Sequence, residues 1–175
     1  WTAIYCFANR VLINANRIYD VREAGIFIRS DAGGGACNDN VVTGNNIAYV
    51  RTVYVDAAGI VPGIIGGVVA GNYFTDIDAS AISITDACKG VMFSGNTIVD
   101  AVRDVTRYPA LGQISLRDGA SAGTIERVSI VGNVIHENTA SAPYGISCTR
   151  VGGASGTTDN ITITGNMVAT ASASN

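Results

Sequence analysis

The octet Ile161-Thr-Ile-Thr-Gly-Asn-Met-Val168 decides how the chain is read, because it recurs. Val128-Ser-Ile-Val-Gly-Asn-Val-Ile135 and Val91-Met-Phe-Ser-Gly-Asn-Thr-Ile98 have the same form. Looser copies run Val68-Val-Ala-Gly-Asn-Tyr-Phe74, Val41-Val-Thr-Gly-Asn-Asn-Ile47 and Val11-Leu-Ile-Asn-Ala-Asn-Arg-Ile18. Six asparagines (Asn16, Asn45, Asn72, Asn96, Asn133 and Asn166) follow one another at intervals of 29, 27, 24, 37 and 33 residues. An apolar residue stands three before each, and another two after. A motif that returns at unequal intervals of this size signals stacked repeats, each burying its apolar side against the next.

Each repeat reads as three short strands. One precedes the Gly-Asn turn, such as Ser129 to Val131, and one follows it, such as Val134 to His136. After a variable loop comes a third, with paired inward residues: Ile26 and Ile28, Val53 and Val55, Ile82 and Ile84, Ile114 and Leu116, Ile146 and Cys148. Three strands per turn with like stacked on like predict an all-β parallel β-helix of about six rungs. Alternation places those residues inside and the ones between them outside. The turn needs a residue near the left-handed region, which Gly and Asn tolerate. Stacked asparagine amides can also hydrogen-bond from rung to rung, forming a ladder at one turn.

Composition agrees. The 175 residues suffice for one domain, are 47% hydrophobic and 14% charged, and contain 21 Gly and 3 Pro. No sustained 3.6-residue period calls for a long helix. A net charge of −3 argues against a nucleic-acid partner. The most apolar segment, Ala57 to Ala70, is interrupted by Pro62 and is too short to span a bilayer, so membrane insertion is not expected. It reads as a loop followed by a strand. Residues 1–175 form a single domain without a linker, and a chain that starts at Trp1 reads as a processed product or fragment. Cys6, Cys37, Cys88 and Cys148 lack metal-ligand spacing and read as buried thiols. No metal site and no cofactor is expected.

The repeated Φ-x-Φ-x-Gly-Asn-x-Φ resembles the repeat of right-handed, single-stranded parallel β-helix proteins of the pectate-lyase-like superfamily. Pectate lyases, polygalacturonases, alginate epimerases and phage tailspikes belong to it. The resemblance covers about residues 9–170 and is specific for fold. The paired-Asp signature of polygalacturonases and the Asp-Pro-His-Glu of alginate epimerases are both missing, so no catalytic residue carries over. Irregular rungs and Ala/Gly/Ser/Thr-rich loops are most similar to a tailspike that binds or cleaves bacterial surface polysaccharide. That likeness implies a homotrimer, located extracellularly or on a virion tail.

Long loops point to where a substrate would lie. Val99 to Gly112 carries Asp100, Arg103, Asp104, Arg107 and Tyr108; His136 to Tyr144 carries His136, Glu137 and Tyr144. Asp76, Asp100 and Glu137 each fall four residues after their asparagine, which predicts a column of acids. Stacked strands lie about 4.8 Å apart. Adjacent acids would then approach the roughly 5–5.5 Å of retaining glycosidases, and acids two rungs apart the roughly 6.5–9.5 Å of inverting ones. Asp76, Asp100, Asp104 and Glu137 are therefore the catalytic candidates, although Asp after a strand also bends a chain. On the third strand, the outward positions read Phe27, Tyr54, Ser83, Ser115 and Ser147. This suggests aromatic sugar contacts beside an open floor of small residues. His136, Tyr144, Arg103, Arg107 and Tyr108 complete the candidate binding set. The expected activity is glycoside hydrolysis, with Asp100 or Asp104 as the acid and Glu137 as its partner. A lyase that abstracts a proton beside a uronate carboxylate neutralised by Arg or by a cation such as Ca²⁺ is the enzymatic alternative, and a non-catalytic adhesin or shaft the other.

Overall fold

In a computed structural model the strands stack as the repeat predicts, and every pairing among the described residues is parallel. The structure describes residues 1–28, 37–51, 60–62, 64–84, 88–104, 106, 111–118, 125–137, 144–150 and 158–170. In chain order the strands are β1 (Ile4–Cys6), β2 (Leu12–Asn14), β3 (Arg17–Val21), β4 (Ile26–Ile28), β5 (Asn38–Thr43), β6 (Asn46–Val50) and β7 (Ile60–Pro62). Then come β8 (Ile64–Ala70), β9 (Tyr73–Ile77), β10 (Ile82–Ile84), β11 (Cys88–Ser94), β12 (Thr97–Ala101) and β13 (Gly112–Asp118). The last are β14 (Ile125–Glu126), β15 (Ser129–Val131), β16 (Val134–Glu137), β17 (Tyr144–Arg150), β18 (Thr158–Asp159), β19 (Thr162–Thr164) and β20 (Met167–Thr170).

They form three sheets, each taking one strand position from every repeat. The first runs β1-β4-β7-β10-β13-β17 and the third β20-β16-β12-β9-β6-β3. The second contains β2, β5, β8 and β11, followed by the split pairs β14/β15 and β18/β19. This is the arrangement of a parallel β-helix. Among the described residues, no helix is long and apolar enough to cross a membrane.

Inward residues fill the space between the sheets. Ile26, Ile82 and Ile114 stack along the first sheet, Val42, Val69 and Phe93 along the second, and Ile47, Phe74 and Ile98 along the third, all buried. Burying each such side chain is worth about 1.5–3 kcal/mol. The asparagine ladder is continuous: each amide from Asn16 to Asn133 donates to the next Oδ1 at 2.8–3.0 Å. The backbone N–H of each asparagine donates to the same oxygen.

The two residues of the turn divide the work. The left-handed position belongs to the residue before the asparagine: Ala15, Gly44, Gly71, Gly95, Gly132 and Gly165, with φ between 56° and 63°. The asparagine itself is not left-handed; it supplies the ladder. A second left-handed line bends the second sheet at Asp39, Gly66, Gly90, Arg127 and Asn160, in register from β5 to the β18/β19 pair. That bend interrupts the later strands into β14/β15 and β18/β19.

Three expectations are corrected. The third strand in the Asn45 repeat is β7, where Ile60 aligns with Ile26 and Ile82. Val53-Tyr-Val55 lies outside the described residues. Pro62 and its glycines look like loop text, which hid a strand with the same alternation. Ser83, Ser115 and Ser147 do stack in register, but they are buried, so they are not an open floor. Ser115 and Ser147 hydroxyls lie 3.0 Å apart, and the Gly112 N–H donates to Ser147 Oγ at 2.8 Å. Finally, all four cysteines are thiols, and Cys6, Cys37 and Cys88 are buried, but Cys148 is exposed although it aligns with Leu116. Burial pushes the Cys88 thiol up to about 12, which makes it unreactive.

Lys89 Nζ pairs with Glu126 at 2.7 Å across adjacent strands of the second sheet. The hydrogen bond from Lys89 is the main reason the Glu126 carboxyl is held below its usual range. A depressed carboxyl stabilises the fold above its unfolded pKa of about 4.3, and the contribution fades as pH falls through the folded value. A Lys89→Met variant should therefore differ slightly from wild type in urea midpoint at neutral pH. The two should converge below about pH 4.

Candidate functional site

The outer face of the third sheet can be read off its register. Arg17, Asn46, Tyr73, Thr97, Val134 and Met167 form one line. Tyr19, Ala48, Thr75, Val99, His136 and Ala169 form the next. Beyond these the chain bends toward the first sheet at a third left-handed line: Asp20, Tyr49, Asp76 and Asp100, with φ of 53–55°. Asp and Asn tolerate this region better than most side chains, so backbone geometry alone accounts for three aspartates here. Of these, Asp76 and Asp100 stand at equivalent positions on adjacent coils, about 4.8 Å apart.

Asp76 is held on two sides. Arg103 donates from Nη1 to Oδ1 at 2.9 Å, and Thr75 Oγ1 lies 3.1 Å from Oδ2. Arg103 reaches it because the chain after β12 hydrogen-bonds back along β9: Val102 N to Ala79 O, Arg103 N to Ile77 O and Asp104 N to Asp78 O. Val102, Ala79 and Leu111 form a small buried cluster that anchors this return. Asp76, Asp78, Asp100 and Asp104 are thereby gathered at one corner, all partly exposed.

Glu137 does not join them. β16 continues through it in register with Thr170, its φ is not left-handed, and it is 2% exposed, accepting a hydrogen bond from Gln113 Nε2 at 2.5 Å. His136 points outward and is exposed, as alternation predicts, and Tyr144 is exposed at the start of β17. Phe27 is on the outer face of β4, but its ring is stacked on Tyr5, centroids 5.1 Å apart and 14° from parallel. Val61, rather than Tyr54, is in register with it. Tyr54, Arg107 and Tyr108 lie outside the described residues. Among the described residues, no group of three or more His, Cys, Asp or Glu could hold a metal ion.

A tyrosine pair was missed. Tyr49 occupies the left-handed position in line with Asp76, and its ring meets Tyr19 with centroids 4.8 Å apart and tilted by 57°. Desolvation, then the side-chain hydrogen bond with Tyr49, pushes the Tyr19 phenol above its ordinary value. Counting four residues on from Asn16 and Asn45 gives Asp20 and Tyr49, so the signal was present in the count that found Asp76 and Asp100.

Compared with models of known protein families, with curated proteins and with solved structures, the chain matches none.

Proposed function

We propose that this chain binds an extended polysaccharide, of a bacterial surface or another extracellular matrix, and cleaves it hydrolytically at the Asp76–Asp100 corner. The observation that carries the reading is the pair itself: two carboxylates at equivalent left-handed positions on adjacent coils, both partly exposed. Their coil spacing of about 4.8 Å is close to the roughly 5–5.5 Å that suits a retaining pair. Asp76, oriented by Arg103 and Thr75, is the nucleophile or stabilising carboxylate. Asp100, or Asp104 beside it, protonates the leaving oxygen. Glu137 is too buried to touch a polymer in this arrangement. Arg103 is already engaged by Asp76, which weighs against its neutralising a uronate as a lyase requires.

The wider reading is tailspike-like. It takes the coil to be right-handed, as crossovers between parallel strands nearly always are, with six rungs, a homotrimeric assembly, and an extracellular or virion-tail location. One observation favours a second reading, a non-catalytic adhesin or shaft: the left-handed bend explains the aspartates without any chemistry.

Reducing-end release from a panel of bacterial surface polysaccharides separates the two. The comparison is wild type against an Asp76→Asn, Asp100→Asn variant, since Asn keeps the left-handed backbone unstrained. Release by the wild type and its loss in the variant are expected. Equal release would move the catalytic residues elsewhere. Binding without release by either protein would leave the adhesin.

A further inference from the structure

Resting on the reading of the corner as a polysaccharide site, we infer that Tyr19 and Tyr49 are its sugar-stacking platform, so that the bound glycan lies along the stack of coils. Three observations place it there. Tyr49 occupies the same left-handed line as Asp76 and Asp100, one coil before Asp76, so platform and acids are collinear. Tyr19 is one coil further back, is 59% exposed, and leans on Tyr49 as a ring pair instead of packing into the core. Tyr73, 41% exposed, stands on the same outer face on the coil of Asp76, in line with Asn46.

The occupant follows from the chemistry. Each tyrosine combines an apolar ring with a polar tip, and the neighbours on this face are Arg17, Asn46 and Thr75, polar groups able to hydrogen-bond hydroxyls. An apolar protein partner would meet this polar rim and the adjoining aspartates, which it cannot satisfy. A pyranoside chain offers C–H faces for the rings and hydroxyls for the rim. From Tyr19 to Asp100 is three coil spacings, about 14 Å in all, so a single sugar cannot span from the far ring of the platform to both acids. Longer oligosaccharides should.

The test uses whichever polysaccharide of the release panel the wild type cleaves, cut into oligosaccharides of graded length. Tyr19→Ser and Tyr49→Asn remove one ring each, the latter keeping a residue that accepts the left-handed backbone. Each should raise KM by roughly tenfold, the worth of one stacked ring, while kcat stays within about twofold. Tyr19→Phe, which keeps the ring, should leave KM near wild type, and the length dependence of KM should flatten in Tyr49→Asn. Unchanged KM in both ring-removal variants, with the wild type still cleaving, overturns the platform but leaves the proposed function standing. If the wild type binds without cleaving, the same comparison is made on Kd. If it neither binds nor cleaves any member of the panel, both readings fall.

Discussion

Asn96→Ala should lower the urea midpoint far more than Asn166→Ala, at the end of the asparagine ladder. Asn96 is fully buried. Its Oδ1 accepts from the Asn72 backbone N–H and from Asn72 Nδ2, both at 3.0 Å. Its own Nδ2 donates to Val69 O and to Asn133 Oδ1, both at 2.9 Å. Truncation strips a partner from the Asn72 backbone N–H and from the Val69 carbonyl, while Asn72 Nδ2 keeps the Val42 carbonyl. Each buried polar group left without its partner costs about 1–3 kcal/mol, so the sum, about 2–6 kcal/mol, is a large share of the stability of a typical domain, about 5–15 kcal/mol. Asn166→Ala provides the control. Asn166 is half-buried and ends the ladder: its Oδ1 accepts from Asn133, but its Nδ2 donates only to the Ile130 and Thr164 carbonyls in partly buried or exposed surroundings, so its loss should cost about 1–2 kcal/mol. Equal midpoints for the two variants would mean that the ladder contributes no more than surface hydrogen bonds.

The second large effect is expected at Gly112. A Cβ there would stand 2.7 Å from Ser147 N, 2.9 Å from Ser147 Oγ and 3.0 Å from Ile114 O. Two of the three are backbone atoms, which cannot swing aside, so β17 must move off β13 and weaken the Gly112–Ser147 and Ser115–Ser147 bonds. Overpacking costs about 1–3 kcal/mol, before any lost hydrogen bond is added. Gly145→Ala meets Val168 Cγ1 at 2.6 Å, a closer contact, but with a side chain that is 46% exposed and free to rotate. Gly112→Ala should unfold at clearly lower urea than Gly145→Ala, despite the shorter distance at Gly145. The opposite order would show that the strand pair β13–β17 yields more easily than its hydrogen bonds suggest.

Much of the fold was legible because one residue type repeats for a backbone reason. Asn45, Asn72, Asn96 and Asn133 stand where the intervals put them, and their apolar neighbours are buried as alternation requires. What alternation could not decide is which of two equivalent stretches takes a strand slot. Val53-Tyr-Val55 and Ile60-Val-Pro62 each offer apolar residues two apart, and only the pairing of Ile60 with Ile26 and Ile82 selects the second. Nor does alternation say whether an outward residue meets water. Ser83, Ser115 and Ser147 face away from the core, yet are covered. At the corner, counting from the asparagine found Asp76 and Asp100 but grouped Glu137 with them, because sequence spacing does not reveal whether the counted residue takes a left-handed φ, as Asp76 and Asp100 do and Glu137 does not.

The ladder also has a direction. Between side chains, every Nδ2 from Asn16 to Asn133 donates to the Oδ1 of the asparagine that follows, while from Asn45 on its second hydrogen goes to a backbone carbonyl of the coil before. Five such links in series align the amide dipoles head to tail, and hydrogen bonds in a chain polarise one another. Sheets by themselves carry small net dipoles. Here the side chains supply what the strands do not: an electrostatic axis through the molecule, positive toward the Asn166 end and negative toward Asn16, comparable in origin to the macrodipole of an α-helix.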